Sequence, residues 1–154
     1  MTPGLIALVA ALAVAVAAGF AWQRANGRMR SGVMRSGGMR SPEARAPGTG
    51  PLMTGAELGG PLGQRATLVQ FSTAFCAPCR ATRRILAEVA GMTDGVVHLE
   101  IDAESRLDLV RRLGIRRTPT VLVLGPDGRI AKRATGQPRK ADVIAALGDT
   151  DGIT

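Results

Sequence analysis

The two cysteines of this chain, Cys76 and Cys79, stand three residues apart in the run Cys76-Ala77-Pro78-Cys79. At this spacing two thiols can form a disulfide with each other and exchange it with the disulfide of a substrate. In such a reaction Cys76 attacks the substrate and Cys79 resolves the mixed disulfide, which leaves the pair oxidised. Two thiolates also suit a soft ion such as Cu(I). Copper binding or delivery by the same pair, with Glu100 as a third ligand, is therefore the alternative hypothesis.

The residues on either side of the cysteines predict a strand, a short loop and a helix. Residues 66–71 are apolar or β-forming, and residues 81–90 place their apolar side chains on one helical face. Cys76 then lies at the N-terminus of the helix, where unpaired N–H groups and the helix dipole favour a thiolate. A thiol becomes a nucleophile near neutral pH when its pKa is lowered. This position therefore predicts Cys76 as the attacking residue.

Apolar periodicity and turn residues predict the elements that hold this site. They are a short helix at 54–57, strands at 66–71, 96–101, 120–124 and 129–134, and helices at 81–90, 104–113 and 138–147. The order predicts an α/β fold, a three-layer sandwich. We expect a mostly parallel, mixed sheet in which the C-terminal hairpin adds an antiparallel edge.

Two motifs carry a resemblance to a known family. Phe75-Cys76-Ala77-Pro78-Cys79-Arg80 is followed about 40 residues later by Gly114-Ile115-Arg116-Arg117-Thr118-Pro119-Thr120. With the strand at 67–71 and the closing hairpin and helix, residues 64–148 resemble the thioredoxin family, which has membrane-tethered members. The resemblance implies a cis peptide bond between Thr118 and Pro119, in a loop that faces the cysteines and pairs with the substrate backbone.

The resemblance also implies an activity and a set of site residues. The activity is thiol–disulfide exchange with protein disulfides. An upstream donor supplies the electrons, and no cofactor or resident metal is needed. The implied catalytic residues include Pro119 beside the two cysteines, and the implied substrate contacts are Phe75, Ala77, Pro78 and Thr118. Because no histidine separates the cysteines, we expect a reductase rather than a strong oxidant.

The chain departs from the family in the residues that handle protons. Gln70 stands where the family usually has a buried Asp, and an amide cannot accept a proton. A gap-free alignment from Pro119 places Glu100 where a buried Lys is common, and a two-residue shift places His98 there. We expect burial to raise the pKa of Glu100, so that it deprotonates Cys79. The alternatives are a solvent-facing Glu100 with water as the base, and a His98 whose imidazole is hydrogen-bonded in the strand.

Composition excludes several classes of function. Aromatic residues make up 3% of the chain and there is no Tyr, which argues against nucleic-acid modules that stack bases on aromatic side chains. Two cysteines cannot build a disulfide-rich scaffold or a four-cysteine zinc site. A single histidine excludes any two-histidine metal site.

Residues 3–22 are expected to form a transmembrane anchor. They contain no charged side chain, and as a helix they span about 30 Å, the thickness of a bilayer's hydrocarbon core. Phe20 and Trp22 fall where an interfacial aromatic belt would lie. A cleaved signal peptide is the alternative, but it needs a basic start and small residues at its cleavage site.

The positive charge of the chain is concentrated after this anchor. The net charge is +8, of which residues 23–50 supply +5 through six Arg against Glu43. We expect residues 23–50 to be a flexible tether, and residues 51–150 to be a domain held in the cytoplasm by the positive-inside bias; an extracytoplasmic domain is the alternative. Arg116 and Arg117 are expected to be solvated, with a role in favouring acidic partners as the alternative.

Overall fold

The computed structural model describes residues 3–26, 30–31 and 51–150, with side chains for 8–21 and 51–150. In chain order the elements are α1 (Pro3–Asn26), β1 (Arg30–Ser31), α2 (Gly55–Leu58), β2 (Ala66–Ser72), α3 (Ala77–Gly91), β3 (Val96–Asp102), α4 (Leu107–Arg112), β4 (Thr120–Leu124), β5 (Ile130–Thr135) and α5 (Lys140–Gly148). The predicted α/β order is confirmed, and the predicted helices and strands differ from these by a few residues at their ends.

The strands form one mixed sheet in the order β1-β5-β4-β2-β3. Among the described strands β2 and β3 are parallel, while β4 pairs antiparallel with both β2 and β5. The expectation of a mostly parallel sheet is therefore wrong. The physical reason is the length of α4, which has six residues and spans only about 9 Å. Because α4 is too short to return the chain to the other end of the sheet, β4 begins at the end where β3 stops and runs in the opposite direction.

The core lies on both faces of β2, whose seven residues are all buried. On one face Leu68 packs in a cluster with Leu86 and Val89 of α3 and with residues of α5. On the other face Val69 and Phe71 pack with apolar residues of α4 and of the segment around Met53. The sheet is therefore covered on both sides, as the three-layer sandwich predicts, and the C-terminal end of β2 is held rigidly beneath α3.

The N-terminal helix presents apolar side chains outward. Leu8, Leu12 and Val16 are between 65% and 67% exposed. Within the part of the chain that the structure describes, no helix is both long and apolar enough to cross a membrane. Several side chains of the predicted anchor over 3–22 lie outside the described residues.

The predicted tether over 23–50 is described in two short pieces. Residues 23–26 are the last residues of α1. Arg30 and Ser31 form β1, which pairs antiparallel with Arg133 and Lys132 of β5. The other residues of the predicted tether lie outside the described part of the chain.

Candidate active site

Cys76 and Cys79 are joined by a disulfide at the start of α3, with a Cα–Cα distance of 5.2 Å. Cys76 is the N-cap of the helix, and its Sγ accepts a hydrogen bond from the backbone N–H of Cys79 at 3.2 Å. Pro78 lies in the first turn, where no intrahelical N–H donor is required. The predicted position of Cys76 at the helix N-terminus is confirmed, so a thiolate on its sulfur would face unpaired backbone N–H groups.

The two sulfur-bearing residues differ in exposure. Both line a cleft of about 470 Å³, but Cys79 is 1% exposed, whereas Cys76 is half-buried. A disulfide on another protein can therefore approach Cys76 but not Cys79. This difference favours Cys76 as the attacking residue and Cys79 as the resolving one.

The loop before β4 contains the cis peptide bond that the resemblance implies, between Thr118 and Pro119. The hydroxyl of Thr118 lies 3.3 Å from that of Thr73, three residues before Cys76. On the other side, the backbone N–H of Gly136 donates to the Pro119 carbonyl at 2.8 Å. The cis-proline loop is thus tied both to the segment that carries Cys76 and to the end of β5.

The segment next to the disulfide offers an apolar surface. Phe75 is fully exposed, and Ala77 and Pro78 are exposed beside it. A large aromatic side chain that is exposed and does not pack into the core of its own protein is often a contact for a partner protein. These three predicted substrate contacts are therefore exposed and adjoin Cys76 along the chain, while Thr118 lies against Thr73; the roles of all four remain predictions.

Gln70 is the polar side chain that reaches the cysteines from inside the sheet. It is completely buried, and its Nε2 donates to the backbone carbonyl of Cys79 at 3.0 Å. Its Oε1 is buried without a hydrogen-bond partner among the described residues. The amide therefore positions the first turn of α3 over β2.

Glu100 lies on β3 directly opposite Gln70. The groups around its carboxylate are not those expected for a buried base. Arg83 donates to its Oε1 at 2.7 Å and approaches its Oε2 at 2.6 Å, and the Ser72 hydroxyl donates at 2.6 Å. Burial favours the neutral acid, but these hydrogen bonds and the charges of Arg83 and His98 outweigh it and lower the pKa of Glu100. The expectation that burial raises the pKa of Glu100 is therefore wrong, because the guanidinium of Arg83 lies against the carboxylate in place of the expected apolar surroundings.

His98 lies on the same face of β3, two residues before Glu100 and opposite Leu68. Its Nε2 is buried with no hydrogen-bond partner in residues 51–150, so the expectation of a hydrogen-bonded imidazole is wrong for this atom. Burial lowers the pKa of His98; the Glu100 carboxylate opposes this and the Arg83 guanidinium adds to it. The uncharged imidazole is therefore the favoured form at neutral pH.

Metal ligation by the same residues finds little support. Within the described residues no group of three or more His, Cys, Asp and Glu side chains is arranged to hold a metal ion. Glu100, the expected third ligand, is engaged by Arg83 and Ser72. The copper hypothesis thus lacks its third ligand in this arrangement.

A comparison with family models decides the affiliation. The model described as thioredoxin matches residues 61–149, the stretch that carries the disulfide and the cis-proline loop. The chain belongs to the thioredoxin family.

Individual thioredoxins are similar to this chain over its C-terminal part. It is 32% identical to the thioredoxin of Alicyclobacillus acidocaldarius subsp. acidocaldarius over 88 residues, which are 56% of this chain and 83% of that protein. The solved structure of chloroplastic thioredoxin z is 26% identical, with a TM-score of 0.52 over 58% of this chain and 80% of the other. The chain spans 66% of thioredoxin H4-1 from Oryza sativa subsp. japonica, at 29% identity, and 15% of human thioredoxin domain-containing protein 2, at 27% identity.

Sequence reasoning did not assign several residues that line this thioredoxin-family site, among them two arginines and a serine. Arg80 and Arg83 of α3 line the cleft beside the disulfide together with Ser72 at the end of β2. The spacing of Cys76, Cys79 and Arg83 by three and four residues was a usable signal, because residues so spaced share one face of a helix. Ser72 carried no such signal, because its contact with Glu100 depends on the register between β2 and β3.

Proposed function

We propose that this thioredoxin-family protein is a membrane-tethered thiol–disulfide oxidoreductase that reduces protein disulfides through Cys76 and Cys79. The observation that carries the proposal is the disulfide at the open end of α3, with one sulfur-bearing residue half-buried and the other 1% exposed. The nearby cis peptide at Pro119 supports it, because metal delivery does not require such a loop.

The reaction begins from the reduced pair. The thiolate of Cys76 attacks one sulfur of the substrate disulfide, a mixed disulfide forms, and the other substrate sulfur leaves as a thiolate. Cys79 then loses its proton and attacks the Sγ of Cys76, so that the second substrate sulfur leaves and both substrate sulfurs end as thiols. Two electrons have passed to the substrate, and an upstream thiol donor returns the Cys76–Cys79 disulfide to the dithiol.

The hydrogen-bonding groups of the site fit this sequence. The N–H of Cys79 already points at the Cys76 sulfur, and it would stabilise negative charge there when Cys76 is a thiolate or a leaving group. The Gln70 amide holds the Cys79 carbonyl, which limits movement of the resolving residue. Both contacts are made by uncharged groups, so they persist across the neutral pH range.

The proposal includes an anchor at residues 3–22 and a tether at 23–50. Its support is the uncharged sequence of 3–22 and the outward-facing Leu8, Leu12 and Val16 of α1. Such side chains gain free energy when they leave water for an apolar surrounding. The six arginines that follow the helix favour a cytoplasmic domain over an extracytoplasmic one.

The activity is tested with the full-length chain purified in a neutral detergent. Reduction of a disulfide-bonded protein by dithiothreitol should accelerate with the wild type, while Cys76→Ser should abolish the acceleration. Cys79→Ser should accumulate a mixed disulfide between Cys76 and the substrate. Asp94→Asn, an exchange of an exposed residue in the turn between α3 and β3, is the control and should retain activity.

Two results would overturn the proposed function. One is full activity of Cys76→Ser; the other is faster alkylation of Cys79 than of Cys76 by limiting reagent in the reduced protein. Metal analysis of the same sample tests the copper hypothesis, which predicts copper in the wild type and its loss in either cysteine variant.

A further inference from the structure

The strand β1 joins the N-terminal part of the chain to the edge of the sheet. Its two residues pair antiparallel with β5, Arg30 opposite Arg133 and Ser31 opposite Lys132. The other edge of β5 is paired with β4. β1 is therefore the outermost strand on this side of the described sheet, and it fastens the segment that follows α1 to the domain.

The direction of β1 shows from which end of the sheet the chain arrives. β5 ends at Thr135, and the next residue, Gly136, donates its N–H to the Pro119 carbonyl at 2.8 Å. Since β1 is antiparallel to β5, Arg30 lies nearer to this cis-proline end than Ser31 does. The chain therefore enters β1 from the end of the sheet that carries the active site.

Arg133 links this edge of the sheet to the segment that leads to the cis-proline loop. Its guanidinium donates to the backbone carbonyl of Leu113 at 2.7 Å and to that of Gly114 at 2.9 Å. Both carbonyls follow α4 directly and precede the loop. Hydrogen bonds from a charged donor are among the stronger ones. The residue opposite β1 thus also holds one wall of the active site in place.

Pairing at β1 shortens the connection between α1 and the domain. α1 ends at Asn26, so only residues 27–29 separate it from Arg30. A stretch of this length spans at most about 14 Å between the two Cα atoms. A connection that ran unpaired from Asn26 to Pro51 could span about 90 Å. The paired edge of the sheet therefore stays close to the C-terminal end of α1.

The proposed function makes α1 the membrane anchor, so this end of the helix lies at the bilayer surface. Asn26 lies about 6 Å along the helix from Trp22, the last residue of the proposed anchor. β1 is then within about 20 Å of the membrane interface. β2, which leads to Cys76, lies three strands away from β1, or about 14 Å. The disulfide therefore cannot move far from the bilayer while β1 is paired.

We propose that the pairing of β1 with β5 directs this protein to disulfides of membrane proteins that lie close to the bilayer surface. The inference rests on the proposed function and names the class of its substrates. A short connection raises the effective concentration of groups within its reach and gives no advantage to groups beyond it. A disulfide held far from the membrane is therefore reduced more slowly than one held near it.

The test uses the reduced full-length chain in vesicles of phosphatidylcholine and phosphatidylglycerol. Its substrates are transmembrane helices extended by alanine-rich helical spacers that hold a disulfide-closed loop about 12 Å or about 60 Å from the membrane. Rates are divided by the amount of Cys76 that an impermeant thiol reagent labels, so that only outward-facing molecules count. The wild type should reduce the near loop about tenfold faster than the far loop.

The variant Arg30→Pro/Ser31→Pro removes both backbone N–H groups of β1 and should abolish its pairing. The near-to-far ratio should then fall towards one, while a soluble peptide with the same loop is reduced at the wild-type rate. Arg35→Pro/Ser36→Pro is the matched control, because it makes the same exchange in the next Met-Arg-Ser-Gly repeat, outside β1. It should keep the wild-type ratio. Hydrogen exchange of the β5 amides that face β1 should accelerate in the first variant only.

The outcomes separate this inference from the proposed function. Equal rates for the near and far loops in the wild type would overturn the inference and leave the activity standing. An unchanged ratio or unchanged β5 hydrogen exchange in Arg30→Pro/Ser31→Pro would overturn it too, as would loss of the ratio in the control. Failure of the wild type to reduce even the soluble peptide would overturn the proposed activity, and its recovery outside the vesicle fraction would overturn the proposed anchor.

Discussion

The side-chain amide of Gln70 donates a 3.0 Å hydrogen bond to the backbone carbonyl of Cys79. It links the buried centre of β2 to the first turn of α3, directly beneath the disulfide. An amide has no titrating proton, so the residue that faces the resolving cysteine holds it in place without responding to pH. On the neighbouring strand β3, the side chains of His98 and Glu100 lie on this same face of the sheet.

Gln70→Ala should destabilise the oxidised protein because it removes this hydrogen bond and leaves a cavity in the core. The expected loss in the free energy of unfolding is about 2–4 kcal/mol, measured by denaturant titration. Gln137→Ala is the matched control, since Gln137 is exposed and its exchange should change stability by no more than about 0.5 kcal/mol. Equal effects of the two exchanges would show that Gln70 does not support α3.

Glu100→Gln should make the stability of the protein less sensitive to acid. The pKa of Glu100 is lowered in the folded state, so the unfolded chain binds its proton first as the pH falls. The stabilisation by Arg83 and Ser72 is thus present above the unfolded pKa, near 4.5, and is lost as the pH falls through the lower folded value. Because the carboxylate is partly exposed, the difference should be on the order of 1 kcal/mol.

This prediction is checked by denaturant titrations between about pH 3 and pH 6. Glu104→Gln serves as the control, because Glu104 is exposed and its side chain has no ion pair among the described residues. If the wild type and Glu100→Gln lose stability in parallel as the pH falls, the ion pair with Arg83 contributes nothing.

His98→Gln should slow release of the mixed disulfide more than Glu100→Gln does. Glu100 is held as an anion by Arg83 and is a weak base. His98 favours its uncharged form, which can accept a proton, and its Nε2 has no partner among the described residues. The release rate should therefore fall in the wild type as His98 becomes protonated below its lowered pKa.

Single-turnover release from a preformed mixed disulfide with Cys76 measures this step, and the initial attack by Cys76 should be nearly unchanged in both variants. Leu99→Val, on the opposite face of β3, controls for a general disturbance of the strand. A wild-type pH profile retained by His98→Gln, or a larger effect of Glu100→Gln, would exclude His98 as the group that takes the proton.

The anchor and its orientation are tested in intact cells. A chain lacking residues 1–22 should move from the membrane to the soluble fraction. In the full chain under reducing conditions, the proposed cytoplasmic orientation, which follows the positive-inside bias, predicts that a membrane-impermeant thiol reagent leaves Cys76 and Cys79 unlabelled until the cells are opened. Labelling before the cells are opened would establish the extracytoplasmic alternative. If the amount of protein in the membrane fraction does not change after truncation, residues 1–22 are not the anchor.

Short stretches of sequence were enough to locate the centre of the site. The position of Cys76 as the N-cap of α3 was predictable because helix starts depend on a few neighbouring residues. The cis peptide at Pro119 followed from a motif of seven residues and the resemblance that it carries. The apolar runs of β2 and α3 likewise predicted which faces would be buried.

The tertiary structure decided the direction of β4 and the chemistry of Glu100. Arg83 and Ser72 are 17 and 28 residues away from Glu100 along the chain, and only the register of β2 against β3 and the packing of α3 bring them to it. A shift of that register by one residue would turn Glu100 to the opposite face of the sheet. Its lowered pKa is thus a property of the packed sheet, because a charge is stabilised by the groups that surround it in space.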